Sequence, residues 1–242
     1  MIEKAFILAA GLGTRLRPYT DKAPKPMVHI GGKPIIAHTI DALAAQGVKE
    51  IVVNTSHLAH VIEDYLKTID SPRIIISHED ERLETGGGIK KALHHFGDDP
   101  FYIINGDALW QDPEDDHEAA LALLAHNWDS TKMDLLLLCM DCKKFEAKEI
   151  NGDYTITADG RATRNKDKNG THMFSGIRIC HPRLFDDAPD GYFSFLELMD
   201  KAETSNRLYA LPYQGVWHHI STVDDLKRVD ALYQEAQNDS AA

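Results

Sequence analysis

The stretch Ala5-Phe6-Ile7-Leu8-Ala9-Ala10-Gly11-Leu12-Gly13-Thr14-Arg15-Leu16-Arg17-Pro18 begins as an apolar run and breaks into glycines followed by two arginines. Residues 4–10 read as a buried strand that delivers the backbone to a turn. Glycine lets the main chain approach a ligand closely and take positive φ, so that successive N–H groups can face an anion. Arg15, Arg17 and, a few residues on, Lys25 add full charges that neutralise phosphate, arginine in forked pairs and lysine as a point charge. Two familiar glycine signatures do not fit. Leu16 stands where a dinucleotide fingerprint needs its third glycine, and Gly13 is followed by Thr14-Arg15 where a Walker loop needs Lys-Ser/Thr. A surface turn with ordinary charges is the plainer alternative reading.

Working outward, strand and helix signals alternate. Helical periodicity covers 34–46, 59–69, 87–96 and 116–127, and strand-like runs cover 50–54, 73–77, 101–104 and 133–140. The acidic lead-in Glu114-Asp115-Asp116 suits the N-terminus of the helix expected at 116–127. After residue 150 the texture changes to a hairpin signal at 154–160, a polar loop at 164–170, a strand at 171–180, a strand near 207–211 and helices near 195–203 and 223–237. Short apolar strands separated by amphipathic helices imply an α/β fold, a Rossmann-like three-layer sandwich with a mostly parallel central sheet and a small C-terminal lobe. No linker or repeat divides the chain, so one continuous domain over 1–242 is expected. In such folds ligands bind along the C-terminal ends of the strands, where both the opening loop and Asn105-Gly106-Asp107 should lie.

The chain has 242 residues, 43% of them apolar, enough for one sizeable core. Its net charge of −12, from 26 basic and 38 acidic residues, argues against nucleic acid or an anionic membrane as partner. The basic cluster of the opening loop therefore points to a small anion. No apolar run approaches the roughly 18 residues that a spanning helix needs. The first residues show no signal-peptide layout, and three cysteines are an odd count, so a reducing cytoplasm is expected. Cys139-Met140-Asp141-Cys142 follows four leucines and reads as the end of a buried strand, with no second Cys-x-x-Cys to complete a zinc site.

Asp107 is the strongest catalytic candidate. A carboxylate at a strand end, facing phosphates held by the opening loop, suits Mg²⁺, which takes one or two carboxylates plus substrate oxygens. The competing reading is an ordinary turn aspartate. Glu79 and the run Leu83-Glu84-Thr85-Gly86-Gly87-Gly88 form a third element. Three consecutive glycines are costly to order and suggest close approach to a ligand, or else a flexible turn. If Glu79 faces the base, its carboxylate accepts from uracil N3–H or guanine N1–H and favours UTP or GTP.

Taken together, Leu8-Ala9-Ala10-Gly11-Leu12-Gly13-Thr14-Arg15-Leu16 with Lys25-Pro26, Glu84-Thr85-Gly86-Gly87-Gly88, Asn105-Gly106-Asp107 and Phe174-Ser175-Gly176-Ile177 resemble the sugar-1-phosphate nucleotidyltransferase family. Within it, the Glu-Thr-Gly-Gly-Gly run and Asn151-Gly152-Asp153-Tyr154 are similar to the short N-acetylmuramate-1-phosphate uridylyltransferases. The resemblance implies two substrates, a nucleoside triphosphate and a sugar 1-phosphate, with 1–142 as the nucleotide part and 143–242 as the sugar part. It implies that Arg15 holds the leaving pyrophosphate, that Lys25 serves the reacting phosphate, and that Asp107 binds Mg²⁺. Ala9, Ala10, Gly11, Gly13, Thr14, Glu79, Glu84 and Gly86 would contact the nucleotide, and Asn105, Gly152, Asp153 and Gly176 the sugar. The family's second metal carboxylate lies in a Trp-x-Asp-x-Gly-Thr pattern, where this chain has Trp217-His218-His219-Ile220-Ser221-Thr222. His219 stands at the aspartate position as candidate ligand, and a neutral imidazole suits transition metals better than Mg²⁺. The expectation is Mg²⁺ resting on Asp107 and phosphates alone, with a preference for Mn²⁺ or Co²⁺, or loss of catalysis, as the other open outcomes. His218 is expected to point the other way. A guanylyltransferase acting on mannose 1-phosphate, and a nucleotide-sugar-binding regulatory module without turnover, are the alternative expectations. The assembly expected is a monomer or a small homo-oligomer.

Overall fold

The structure is a computed structural model and describes residues 1–144 and 152–240; Asn151 lies outside the described residues. The chain runs through β1 (Lys4–Leu8), β2 (His29–Ile30), β3 (Lys33–Pro34), α1 (Ile35–Ala45), β4 (Glu50–Thr55), α2 (Ala59–Leu66), β5 (Arg73–His78) and α3 (Glu84–Lys91). It continues through β6 (Phe101–Asn105), β7 (Trp110–Gln111), α4 (Ala120–Asn127), β8 (Leu135–Asp141), β9 (Tyr154–Ile156) and β10 (Ala162–Arg164). The last elements are β11 (His172–Cys180), α5 (Phe195–Thr204), β12 (Leu208–Pro212), β13 (Val216–Trp217) and α6 (Val223–Ser240).

Among the described residues nine strands form one sheet. Across its centre the order is β5-β4-β1-β6-β11-β8-β12, and β11 alone runs against the others. The β9–β10 hairpin hangs from β11. Each central strand alternates between two apolar layers, as the pleat requires. Ala5 and Ile7 join Ile36, Ile40, Leu43, Ile62 and Leu124 on one face. Phe6, Ile103 and Leu137 join Ile89, Phe96, Leu198 and Met199 on the other. Each fully buried Ile or Leu contributes roughly 1.5–3 kcal/mol, more than a typical hydrogen bond, so these two layers dominate the cohesion of the fold. A third cluster packs Leu16, Val28 and Ile30 against Ile220, Leu226 and Val229. It brings α6 back against the opening loop.

Register sets the ligand edge. Leu8 pairs with Asn54 on one side and with Asn105 on the other, so the loops after β1, β4 and β6 leave the sheet together.

Two helices begin elsewhere than the sequence suggests. α3 starts at Glu84, so all three glycines lie within the helix. They are small because other parts of the protein press on them: a Cβ at Gly86 would run into the Phe193 ring, and one at Gly87 into the Gly191 carbonyl. α4 starts at Ala120, and its first N–H donates to Asp112 Oδ1 at 2.8 Å. The acidic run 114–116 lies ahead of the helix and caps nothing.

Candidate active site

The opening loop folds tightly at Gly13, which takes the left-handed conformation (φ 60°) and caps a short 3-10 turn, Thr14–Leu16. A side chain there would be strained, and its Cβ would stand 2.9 Å from Lys25 Cβ. The buried Thr20 pins the turn by donating its hydroxyl to the Gly13 carbonyl at 2.9 Å. Gly106 N–H donates to the Leu8 carbonyl at 2.8 Å and ties the third loop to the first.

Lys25 joins the parts. Its Nζ donates to Asp107 Oδ2 and to the Ile220 carbonyl, each at 2.6 Å. The two residues given separate tasks at the sequence level therefore neutralise one another here. Lys25 is largely buried while Asp107 remains 41% exposed, so the pair faces the cleft from the carboxylate side. Asp107 Oδ1 has no hydrogen-bond partner among the described residues. One open carboxylate oxygen fits Mg²⁺, which draws its other ligands from water and phosphate. Among the described residues no group of three or more His, Cys, Asp or Glu is placed to hold an ion by itself.

Two cavities meet at this pair. The first, of about 350 Å³, is lined by Ala9, Ala10, Gly11, Gly13, Thr14, Arg15, Lys25, Glu79, Glu84, Asn105 and Asp107, all expected from the sequence. The second, of about 440 Å³, shares Arg15, Lys25, Asn105 and Asp107 and adds Asp153, Gly176 and His219. His219 is exposed, whereas His218 is buried with its ring 5.6 Å from that of Tyr233.

Three expected residues stand elsewhere. Gly86 is buried under Phe193, and its N–H donates to the Phe193 carbonyl at 3.0 Å. Gly152 forms a backbone bridge with Gly170, whose carbonyl leaves no room for a Cβ. Arg17 is exposed and pairs with Asp21 at 3.3 Å. The chain packs closely at these glycines, and the single turn Thr14–Leu16 swings Arg17 off the cleft.

Residues without a motif signal complete the site. Buried Asn54 accepts from Ala9 N–H at 2.7 Å and donates to Glu79 Oε1 at 2.7 Å. Glu79 Oε2 accepts from Leu83 N–H at 3.0 Å. Both oxygens of this 1% exposed carboxylate are thus engaged inside the protein, which makes Glu79 a brace between its own loop and β4, and through Asn54 to the loop after β1. Glu84 takes φ 64°, a left-handed conformation of real cost for a non-glycine residue, and its carboxylate accepts from Thr85 N–H at 3.1 Å. Arg82 lines the first cavity, and like Arg15 it has no carboxylate partner among the described residues. The cavity thus presents two uncompensated guanidinium groups in a chain of net charge −12, as expected of a site for a polyanionic ligand. The Cys139–Cys142 segment lies apart: Cys139 is fully buried on β8, and burial pushes its thiol well above the usual range.

Comparison with known proteins shows the family and the fold. Residues 4–148 match the family model described as nucleotidyl transferase. An N-acetylmuramate alpha-1-phosphate uridylyltransferase of Caulobacter vibrioides is 36% identical over 239 residues, covering 96% of this chain and 97% of its own. A mannose-1-phosphate guanyltransferase of Neurospora crassa is 42% identical over 236 residues, but the match spans only 64% of its length. A UDP-glucose pyrophosphorylase crystallised with UDP-glucose superposes with TM-score 0.81 at 18% identity, over 98% of this chain and 100% of its own, which shows the shared fold.

Proposed function

Because the chain belongs to the nucleotidyl transferase family, we propose that it transfers a uridylyl group from UTP to N-acetylmuramate 1-phosphate and releases pyrophosphate. The observation that carries the reading is the Lys25–Asp107 pair at the junction of two cavities, one lined by the glycine loop and the other by the 217–221 segment. End-to-end coverage of the Caulobacter uridylyltransferase favours the uridylyl pair over the guanylyl one, whose relative carries about a third of its length outside the match.

A phosphate oxygen of the sugar 1-phosphate attacks the α-phosphorus in line, the new P–O bond forms, and the bond to the β-phosphate breaks. Such a reaction asks for positioning and charge stabilisation more than for covalent help. The backbone of Ala9, Ala10, Gly11, Gly13 and Thr14 receives the nucleotide. Arg15, joined by Arg82, steadies the pyrophosphate that leaves. Lys25 releases Asp107 and turns to the phosphate that reacts. Asp107 is the carboxylate that would hold Mg²⁺, with exposed His219 as a second candidate ligand, and the ion would neutralise phosphate charge. Glu79 shapes the base pocket through Asn54 and Leu83, and Glu84 contributes its main chain. Asp153 and Gly176 belong to the sugar side. Residues 1–142 supply most of the nucleotide cavity and 143–242 most of the rest of the sugar cavity, within one domain. A cytoplasmic place suits such substrates; among the described residues no helix is long and apolar enough to cross a membrane.

Pyrophosphate release tests the reading, with UTP and GTP each paired with N-acetylmuramate 1-phosphate, N-acetylglucosamine 1-phosphate and mannose 1-phosphate, under Mg²⁺ and Mn²⁺. Turnover should be highest for UTP with N-acetylmuramate 1-phosphate under Mg²⁺. Preference for GTP with mannose 1-phosphate would replace the substrate pair. Nucleotide binding without product under either metal would replace the enzyme by a nucleotide-sugar-binding module.

A further inference from the structure

Asn105 lines both cavities and so stands at their junction. Its Oδ1 accepts a hydrogen bond from Arg178 Nη1 at 3.2 Å, while its Nδ2 has no hydrogen-bond partner among the described residues. Gly176, in the left-handed region at φ 86°, makes room for the amide: a Cβ there would stand 3.0 Å from Nδ2 and 3.1 Å from Cγ. The β8–β11 ladder shifts register between Phe174 and Arg178, and this bulge carries Gly176 to the amide. Ser175 anchors the bulge by donating its hydroxyl to the Leu138 carbonyl at 2.7 Å.

Arg178 itself is out of place for a core residue. It is 2% exposed, and its guanidinium lies 4.3 Å from the centre of the Phe195 ring and 5.4 Å from that of Phe174. It has no carboxylate partner among the described residues, and its Nε is buried without any partner. Burial lowers the guanidinium to about 10, which still leaves it charged at neutral pH. Burying a cation with no anion is costly, and an apolar side chain of similar volume would pack more cheaply. The cost is explained by what the cation does to Asn105: it fixes which end of the amide faces the cavities and polarises the N–H groups at that end.

We infer that Arg178 is a positioning residue for phosphoryl transfer, holding the Asn105 amide so that its NH₂ donates to an oxygen of the α-phosphate that the sugar phosphate attacks. This rests on the reading that a phosphate reacts where the two cavities meet. The test compares Arg178→Met, Asn105→Ala and the double variant, each checked for a native circular dichroism spectrum and thermal midpoint. Each single change should lower kcat by about 10- to 100-fold, with the KM for UTP moving much less, as for loss of a donor to transition-state charge. The double variant should be no slower than Asn105→Ala alone, because Arg178 acts through the amide. Losses that multiply, or an unchanged kcat in Arg178→Met, would overturn the inference. A second measurement needs no substrate. In ¹⁵N-labelled protein the Asn105 side-chain NH₂ signals should shift or broaden on Arg178→Met; signals that stay put would also overturn it. A wild-type protein that turns over no nucleotide–sugar pair would sink the reaction reading alone, leaving the amide orientation to the NMR measurement.

Discussion

At the scale of single residues, the proposed chemistry divides between Lys25 and Asp107, which form one ion pair at the junction of the cavities. The ammonium is held by Asp107 and the Ile220 carbonyl, and the proposed reaction turns it to the substrate phosphate. Lys25→Ala should lower kcat by about 100- to 1,000-fold, the usual loss for one cationic donor to a transition state. Asp107→Asn should act differently, raising the Mg²⁺ concentration needed for half-maximal rate by about tenfold or more while UTP affinity without metal stays within a few-fold. A Mg²⁺ titration of both variants separates the roles, and an unchanged metal requirement in Asp107→Asn would remove that residue from the metal site. Arg15, Lys25 and Asp107 are legible in the sequence because charge beside a glycine turn at a strand end carries a local signal. Arg82 and Asn54 are not, because an arginine or asparagine between elements looks the same whether it faces solvent or a cleft. Arg17 shows the converse: its sequence context matches that of Arg15, yet it pairs with Asp21 outside the cleft.

At the scale of elements, α3 is the instructive case. Its three glycines announce a close approach, and there is one, but protein occupies the space expected for a ligand. A Cβ at Gly88 would stand 2.5 Å from Glu79 Oε1 and 2.8 Å from Asn54 Nδ2. Those are the contacts that link the loops after β1 and β5 through β4. Gly88→Ala should therefore cost about 1–3 kcal/mol of stability, as overpacking does, and weaken UTP binding at the same time. At Gly11 the φ angle lies outside the left-handed region and the space a Cβ would take is open to 4 Å, so Gly11→Ala should leave the thermal midpoint within about a degree or two. Thermal melts with and without UTP compare the two. The Cys-x-x-Cys spacing straddles the end of β8, with Cys139 on the strand and Cys142 just past it. Cys139 and Cys180 are fully buried and Cys142 half-buried, so a thiol reagent under native conditions should label at most one cysteine per chain, and labelling of all three would contradict the packing.

At the scale of the whole molecule, α6 closes the structure by covering the underside of the opening loop, with His218 buried in the seam against Tyr233. Burial lowers the His218 imidazole to about 4 from an ordinary value of 6.5. Its folded form is neutral where its unfolded form takes a proton, so this contribution to stability is full above pH 6.5 and is lost as pH falls toward 4. The loss should reach roughly 3 kcal/mol across that window, and denaturant melts of His218→Phe should show a flatter dependence there. If wild type and variant fell in parallel, the seam would not be the acid-sensitive part. Amphipathic periods and apolar runs determined the layered α/β fold and placed the glycine loop and Asn105-Gly106-Asp107 on one edge, because burial period and turn chemistry act over a few residues. Tertiary structure alone decided which side chains meet there. Lys25 reaches a carbonyl 195 residues away, Arg178 an amide 73 residues away and Asn54 an N–H 45 residues away. Contacts across such separations depend on strand register and on a bulge, which take shape only when the sheet assembles.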